Sequence, residues 1–344
     1  MYFNSFQFLL LFLPVTLLGF YLINRVEPCR WPIVWLVGAS LVFYGFCNLV
    51  LVGVLIGSVL TNYVLGRFFY DSQISKVNLK KILYFGIICN LGVLIYFKQF
   101  GFYGGSQPQE FSPAYPWGVI IPVGLSFFTF QQIIYLVEVW RGRVEGNSFW
   151  NYFLYVVFFP QLLNGPIVRP NEFFPQLVDK KFFKFQADRI AAGLTIFSCG
   201  LFKKVVLADG IARYSDSAFD AVAQGAVLSM MEAWSGTLSF TLQVYFDFSG
   251  YSDMAVGLGC LLGIRLPINF ESPYKASSLI EFWHRWHMTL SRFVRDYIYI
   301  PLGGNRKGSL KRTGNIFIIM LIGGIWHGTG TTFIVWGSLH GGFL

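Results

Sequence analysis

Charge is scarce in this chain. Asp, Glu, Lys and Arg make up only 12% of its 344 residues against 55% hydrophobic ones, with mean hydropathy +0.55. That balance excludes an ordinary soluble globular domain. Cysteine is sparse as well: Cys29, Cys47, Cys89, Cys199 and Cys260 form no C-x-x-C pair, so neither a disulfide framework nor a thiolate metal site is expected. Alternating apolar and polar runs are too few to close a barrel. The sequence has no G-x-S-x-G elbow, no dinucleotide fingerprint, no kinase motif and no H-E-x-x-H, which removes the serine-hydrolase, oxidoreductase, kinase and zinc-protease readings. The net charge of +9 comes without a nucleic-acid module, so no nucleic-acid partner is expected.

What remains is apolar length. Phe6–Ile23, Trp31–Cys47, Leu49–Leu65, Ile82–Phe97, Val119–Val137 and Ile190–Leu207 are each about 16 to 19 residues long, close to what a helix needs to cross a bilayer. In lipid every backbone N–H and C=O must be satisfied within the chain, so these runs are helices and the fold is all-α and polytopic. The first run lacks a preceding Lys or Arg and a small-residue cleavage site, so it reads as a retained span rather than a signal peptide. Only the last run is interrupted by charge, at Lys203 and Lys204.

Lys and Arg set the expected orientation. With the N-terminus outside, Arg67, Lys76, Lys80 and Lys81 fall on the cytoplasmic side, the nearly uncharged loop Lys98–Trp117 outside, and Arg141 with Arg143 inside. A full crossing over Phe149–Arg169 would then carry Arg169, Lys180, Lys181, Lys184 and Arg189 outside, against the rule. The stretch "FFPQLLNGPIVRPNEFFPQL" (158–177) contains four prolines and is therefore expected to be re-entrant, its broken backbone enclosed by protein or lining a cavity. The acidic loop Asp209–Asp220 falls outside. Arg265–Arg312, with nine Lys or Arg against three acids, falls inside.

All four histidines, at 284, 287, 327 and 340, lie in the C-terminal part of the chain. His327, in "LIGGIWHGTG", has no acid or base for the 14 residues before it; a polar group kept in such a run faces a cavity or a partner. The bland alternative is a neutral ring packed under Trp326. Glu281–Asp296 has helical spacing of charged and apolar residues and reads as one amphipathic interfacial helix, with Arg292 and Asp296 placed to pair. On such a helix Glu281, His284 and His287 would share a side, a weak metal constellation that lacks a further strong ligand. "VYFDFSGYSDMAVG" (244–257) sets Asp247, Tyr251, Ser252 and Asp253 around a glycine break, as helix N-caps or as the wall of a polar tunnel. "GGNRKGS" (303–309) lacks the order of a phosphate loop and reads as a turn carrying basic residues toward lipid headgroups. With no other nucleophile system present, catalysis rests on histidine, whose neutral ring is a general base near pH 7.

These stretches resemble the membrane-bound O-acyltransferase family, in particular its bacterial alginate O-acetylation branch. The resemblance is carried by "PVGLSFFTFQQIIYLVEVWRG" (122–142), the segment 158–177, "FDFSGYSDMAVGLGCLLGIRLPINFESPY" (246–274), "EFWHRWHMTLSRFVRDYIYIPLGG" (281–304) and "GGIWHG" (323–328). It implies a helical bundle around a tunnel, in a single domain over residues 1–344 cut short at its C-terminus. It implies His327 as the essential histidine and His287 at the second polar position, which is His, Asn or Asp across the family. Asp247, Tyr251, Ser252, Asp253, Glu281, Trp283, Arg285 and Trp326 are the expected substrate contacts, and no metal is expected. No cofactor is resident: acetyl-CoA or another acyl thioester is a cytoplasmic donor substrate, attracted by the basic stretch Arg285–Arg312. The expected partners are a periplasmic acetyltransferase or polysaccharide-export protein, and membrane lipid, at the bacterial inner membrane. The expected reaction moves an acetyl group toward an exported polysaccharide such as alginate. The rivals are D-alanyl transfer to teichoic acid, a proton-coupled transporter, which would want an inverted repeat that is not found, and a structural assembly subunit indifferent to both histidines.

Overall fold

The computed structural model describes residues 1–27, 30–46, 49–103, 124–144, 146, 148–178, 184–306, 308–328 and 330–344. Among them the regular elements are helices throughout. They gather in two compact units, Met1–Leu91 with Pro122–Pro267, and Gly92–Ile121 with Ile268–Leu344.

In the first unit a π turn at Phe8–Phe12 leads into α1 (Leu13–Val26), followed by α2 (Trp31–Gly45), α3 (Leu49–Phe68), α4 (Lys76–Tyr103, here up to Leu91) and α5 (Leu125–Trp140). Pro32 opens α2, where its missing N–H is one that the helix would leave unpaired anyway. Among the described residues four stretches are long and apolar enough to cross a membrane: Phe8–Val26, Leu51–Phe68, Lys76–Lys98 and Ala187–Ala223. Trp31–Gly45 and Leu125–Trp140 are shorter apolar helices. All six hydropathy runs therefore contain helix, and the chain is a multi-pass membrane protein. The start of the Val119 run and most of the loop before it lie outside the described residues. Polar groups inside these helices pair with one another. Asn90 Nδ2 donates to Asn62 Oδ1 at 2.6 Å, tying α4 to α3, and Gln132 Nε2 donates to Ser58 Oγ at 2.9 Å, tying α5 to α3.

The proline-rich stretch forms α6 (Phe149–Val157), α7 (Phe159–Leu162) and α8 (Pro170–Val178), each far short of the roughly 20 residues that a crossing needs. Tyr152 to Leu163 is buried throughout, and its interrupted backbone finds protein partners. The Phe159 N–H donates to Ser40 Oγ at 3.1 Å, the Tyr155 hydroxyl to the Val168 carbonyl at 2.9 Å, and Gln161 Nε2 to the Tyr155 carbonyl at 2.6 Å. This is the enclosed, broken backbone that the prolines imply.

Two expectations fail in the next stretch. Asp209–Asp220 is a helix and not a loop: α9 (Ala187–Phe202) continues through a π turn at Lys203–Ala208 into α10 (Asp209–Ala223). Asp209 stands in the first turn of α10, where a carboxylate suits the helix dipole, and Lys204 pairs with it at 2.7 Å. Nor do Asp247 and Asp253 cap a helix. They lie inside α11 (Met230–Leu261), which runs unbroken through Gly250 and is capped by Ser229 with Glu232. Mid-helix carboxylates are tolerated because lysines of the π turn meet them, Lys204 reaching Asp247 and Lys203 reaching Asp253, each at 2.6 Å. The two helices touch closely enough for this because glycines face each other. A Cβ on Gly200 would meet the Gly250 carbonyl at 2.6 Å, and one on Gly257 would meet the Phe197 nitrogen at 2.6 Å.

The second unit holds α4 from Gly92, then α12 (Leu279–Arg285), α13 (Met288–Val294), a π turn at Arg295–Tyr299, α14 (Ser309–His327) and α15 (Thr331–Phe343). Glu281–Asp296 is thus not one amphipathic helix. Trp286 is extended and His287 has φ 42° and ψ 54°. The break is fixed by Asn269, whose carbonyl accepts the Met288 N–H at 2.9 Å and whose side-chain oxygen accepts the Thr289 N–H at 3.3 Å. Asp296 pairs with its neighbour Arg295, Nε to Oδ1 at 2.8 Å. Gly303–Arg306 is a turn, as read. The three residues between α14 and α15 make the helices an antiparallel pair, Gly324 facing Phe333 and Gly341 facing Phe317.

Candidate active site

The second unit brings three of the four histidines onto aromatic neighbours. His327 is the last residue of α14, which ends because Gly328 is extended. Its ring is exposed and lies 4.6 Å from the Trp326 ring, 5.3 Å from Trp336 and 6.4 Å from Phe333, centroid to centroid. On α15, Trp336 and His340 are four apart and share a face, their rings 4.5 Å apart. Trp283 of α12 meets both edge-on, at 5.9 Å and 5.4 Å. Helices α12, α14 and α15 therefore converge on one wall of indole and imidazole rings. Lys98, near the end of α4, donates to the Trp326 carbonyl and stands 5.1 Å from the centre of that residue's ring.

His287 is buried, 4% exposed, at the junction of α12 and α13. Its Nδ1 lies 3.0 Å from Asn269 Oδ1, which also accepts the Thr289 N–H and, at 2.9 Å, the Thr289 hydroxyl. A backbone N–H can only donate, so the Asn269 atom facing it is oxygen. Nδ1 of His287 must then carry the proton, and Nε2 bears the lone pair. Burial first, and the charge of His327 second, push its pKa down to about 3, so the ring is neutral at physiological pH. Phe270 stacks on it at 6.4 Å.

The break at His287 also separates Glu281, His284 and His287, which one continuous helix would have set on a common side. His284 is exposed on α12 while His287 is buried past its end. Glu281 is occupied with Ser277, whose N–H and hydroxyl it accepts at 2.7 Å and 2.8 Å, and with Arg285 at 2.7 Å. The Ser277 N–H chiefly, then its hydroxyl and Arg285, hold the Glu281 carboxyl below the usual range. Glu281 and Arg285 thus brace α12, which carries Trp283. Among the described residues no three His, Cys, Asp or Glu side chains gather as a ligand set.

The other expected contacts belong to the first unit. Asp247 and Asp253 hold their lysines, Tyr251 stacks on Phe3 at 4.8 Å, and Ser252 is 2% exposed. Four residues that shape the site have no assignment from sequence: Asn269, Trp336, His340 and Lys98. Lys98 carried a visible signal, a lone cation at the end of an apolar run. Asn269 carried none, because its role depends on a backbone turn 18 residues later.

The model of the membrane-bound O-acyltransferase family matches residues 36–344. The chain is 42% identical to a peptidoglycan O-acetyltransferase of Helicobacter pylori, over 98% of this chain and 69% of that protein. It is 38% identical to a probable alginate O-acetylase AlgI of Azotobacter vinelandii, over 100% of this chain and 68% of that protein. With a teichoic acid D-alanyltransferase of Bacillus subtilis the identity is 28%, over 68% and 60%. The chain belongs to the membrane-bound O-acyltransferase family and is an O-acyltransferase.

Proposed function

We propose that the protein transfers an acetyl group from a cytoplasmic thioester, acetyl-CoA or a like donor, toward a hydroxyl of a glycan outside the bacterial inner membrane. The carrying observation is His327: a histidine at the end of an apolar helix, its ring exposed yet walled by Trp326, Phe333 and Trp336. In this reading its neutral imidazole takes the proton of an attacking hydroxyl as the oxygen bonds to the thioester carbonyl. The C–S bond breaks, and the thiolate leaves and regains a proton. His287, with its lone pair fixed on Nε2, orients the hydroxyl or the acyl group. Arg285 and the basic stretch to Arg312 attract the anionic donor.

The acetyltransferase names of the two more similar relatives support acetyl over D-alanyl, and alginate and peptidoglycan share the chemistry of a carbohydrate hydroxyl. Completion of transfer by a periplasmic acetyltransferase fits a membrane step that only delivers the group. The test is the ester content of exported glycans in a deletion strain complemented with the wild type or with His327→Ala. The wild type should restore base-labile acetate on alginate-type polysaccharide or on peptidoglycan. His327→Ala, inserted at the same level, should lose about 10²-fold or more. Ester-linked D-alanine in place of acetate would point to teichoic acid chemistry, and full activity of His327→Ala would end the assignment.

A further inference from the structure

The end of α14 poses a hydrogen-bonding question. The last carbonyls of a helix have no donor within it, and in an apolar setting each needs another. The chain does not curl back in a left-handed cap: Gly328 is extended at φ −178°, ψ 166°, and its N–H returns to the Gly324 carbonyl. The Trp326 carbonyl is instead taken by the ammonium of Lys98. That ammonium also stands 5.1 Å from the centre of the Trp326 ring, and that ring lies 4.6 Å from His327. One cation therefore grips the residue before His327 by its backbone and by its side chain. It does so at the negative end of the helix, where a cation is favoured.

We propose that Lys98 is a positioning residue for acyl transfer, clamping the C-terminal turn of α14 through Trp326 so that the His327 ring is held at one angle to the reacting hydroxyl. The inference rests on the reading of His327 as the base. A cation at the end of an apolar run loses part of its hydration, and a cap alone would not require one. The double grip on a single residue does require a charged group that can reach both a carbonyl and a ring face, and among side chains lysine and arginine meet that need.

Misplacing a catalytic group by about 1 Å can cost 10²-fold. Initial rates with labelled acetyl-CoA in membranes of the producing strain should therefore give, for Lys98→Met, a kcat lowered by about 10-fold to 10²-fold with KM for the donor changed less than about twofold. Lys98→Arg should recover most of the loss. If Lys98→Met does not accumulate, Lys98→Gln, which keeps a donor for the carbonyl but no charge for the ring, is read alone and should show a lowered kcat at unchanged KM. Wild-type rates in Lys98→Met, a loss confined to KM, a Gln variant at wild-type kcat, or an Arg variant as slow as Met each overturn the proposal. His327→Ala in the same assay separates the two readings. If it is inactive while Lys98→Met is normal, only the clamp fails; if it is active, the assignment of the base fails with it.

Discussion

At φ 42° and ψ 54°, His287 occupies a region where a side chain beyond Cβ is crowded and which Asn, Asp and His enter more readily than other residues. A histidine in this conformation thus has a backbone reason, and asparagine is the substitute that shares it. His287→Asn should keep thermal stability in detergent close to wild type, whereas His287→Val, β-branched and without the Asn269 bond, should lower it by about 1–3 kcal/mol. The same residue sets a pH dependence. Its folded pKa, about 3, lies below the ordinary 6.5, so between those values the unfolded chain binds a proton that the folded one refuses. Its contribution is fully present above pH 6.5 and is lost as pH falls toward 3, with a slope of up to about 1.4 kcal/mol per unit. The wild-type stability minus that of His287→Asn should fall on acidification through this window, and a flat difference would contradict the buried neutral ring. The histidines stood out in the sequence as polar residues in apolar runs. The turn at His287 did not, because the charged and apolar residues from Glu281 to Asp296 keep helical spacing across it, and only Asn269 interrupts the helix.

Helices were legible wherever hydropathy alone decides, as in α1, α3 and α4. They were misread where a partner distant in sequence decides. Lys203 and Lys204 read as charges interrupting an apolar run, and Asp247 and Asp253 as helix caps or a tunnel wall, because pairing across some 50 residues leaves no local trace. The glycines that permit the pairing do have a pattern, Gly193 with Gly200 and Gly250 with Gly257, and it acts through close contact of α9 with α11. A methyl at Gly257 would meet the Phe197 nitrogen at 2.6 Å, while one at Gly57 of α3 meets nothing within 4 Å. Gly257→Ala should therefore cost about 1–3 kcal/mol by forcing the helices apart. Gly57→Ala should be neutral or stabilising by up to about 1 kcal/mol, since alanine suits a helix interior better. Thermal unfolding of the two variants side by side checks this, and equal effects would mean that the crossing is looser than described.

At the scale of the whole molecule, orientation follows from charge and from the broken helices together. Arg67, Lys76, Lys80 and Lys81 flank the turn between α3 and α4, and Arg141 and Arg143 follow α5, so the positive-inside rule predicts the start of α4 and the end of α5 on the cytoplasmic side. If α6 to α8 together crossed the membrane, Lys184 and Arg189 would be exported. Their short lengths, 9, 4 and 9 residues, and their burial argue that the chain enters and returns on the same side. On that prediction the helix Ala187–Ala223 carries Asp209, Asp216 and Asp220 outward. In a cysteine-free background, single cysteines at Gln73, Gly146 and Gln186, exposed positions on either side of these elements, should be shielded from an impermeant maleimide in intact cells. A cysteine at Asp216, also exposed, should be labelled. Gly146 and Gln186 are the decisive pair, since they bracket the proline-rich stretch. Labelling of one and not the other would mean that α6 to α8 cross the bilayer, and the positive-inside balance of every later element would then be inverted.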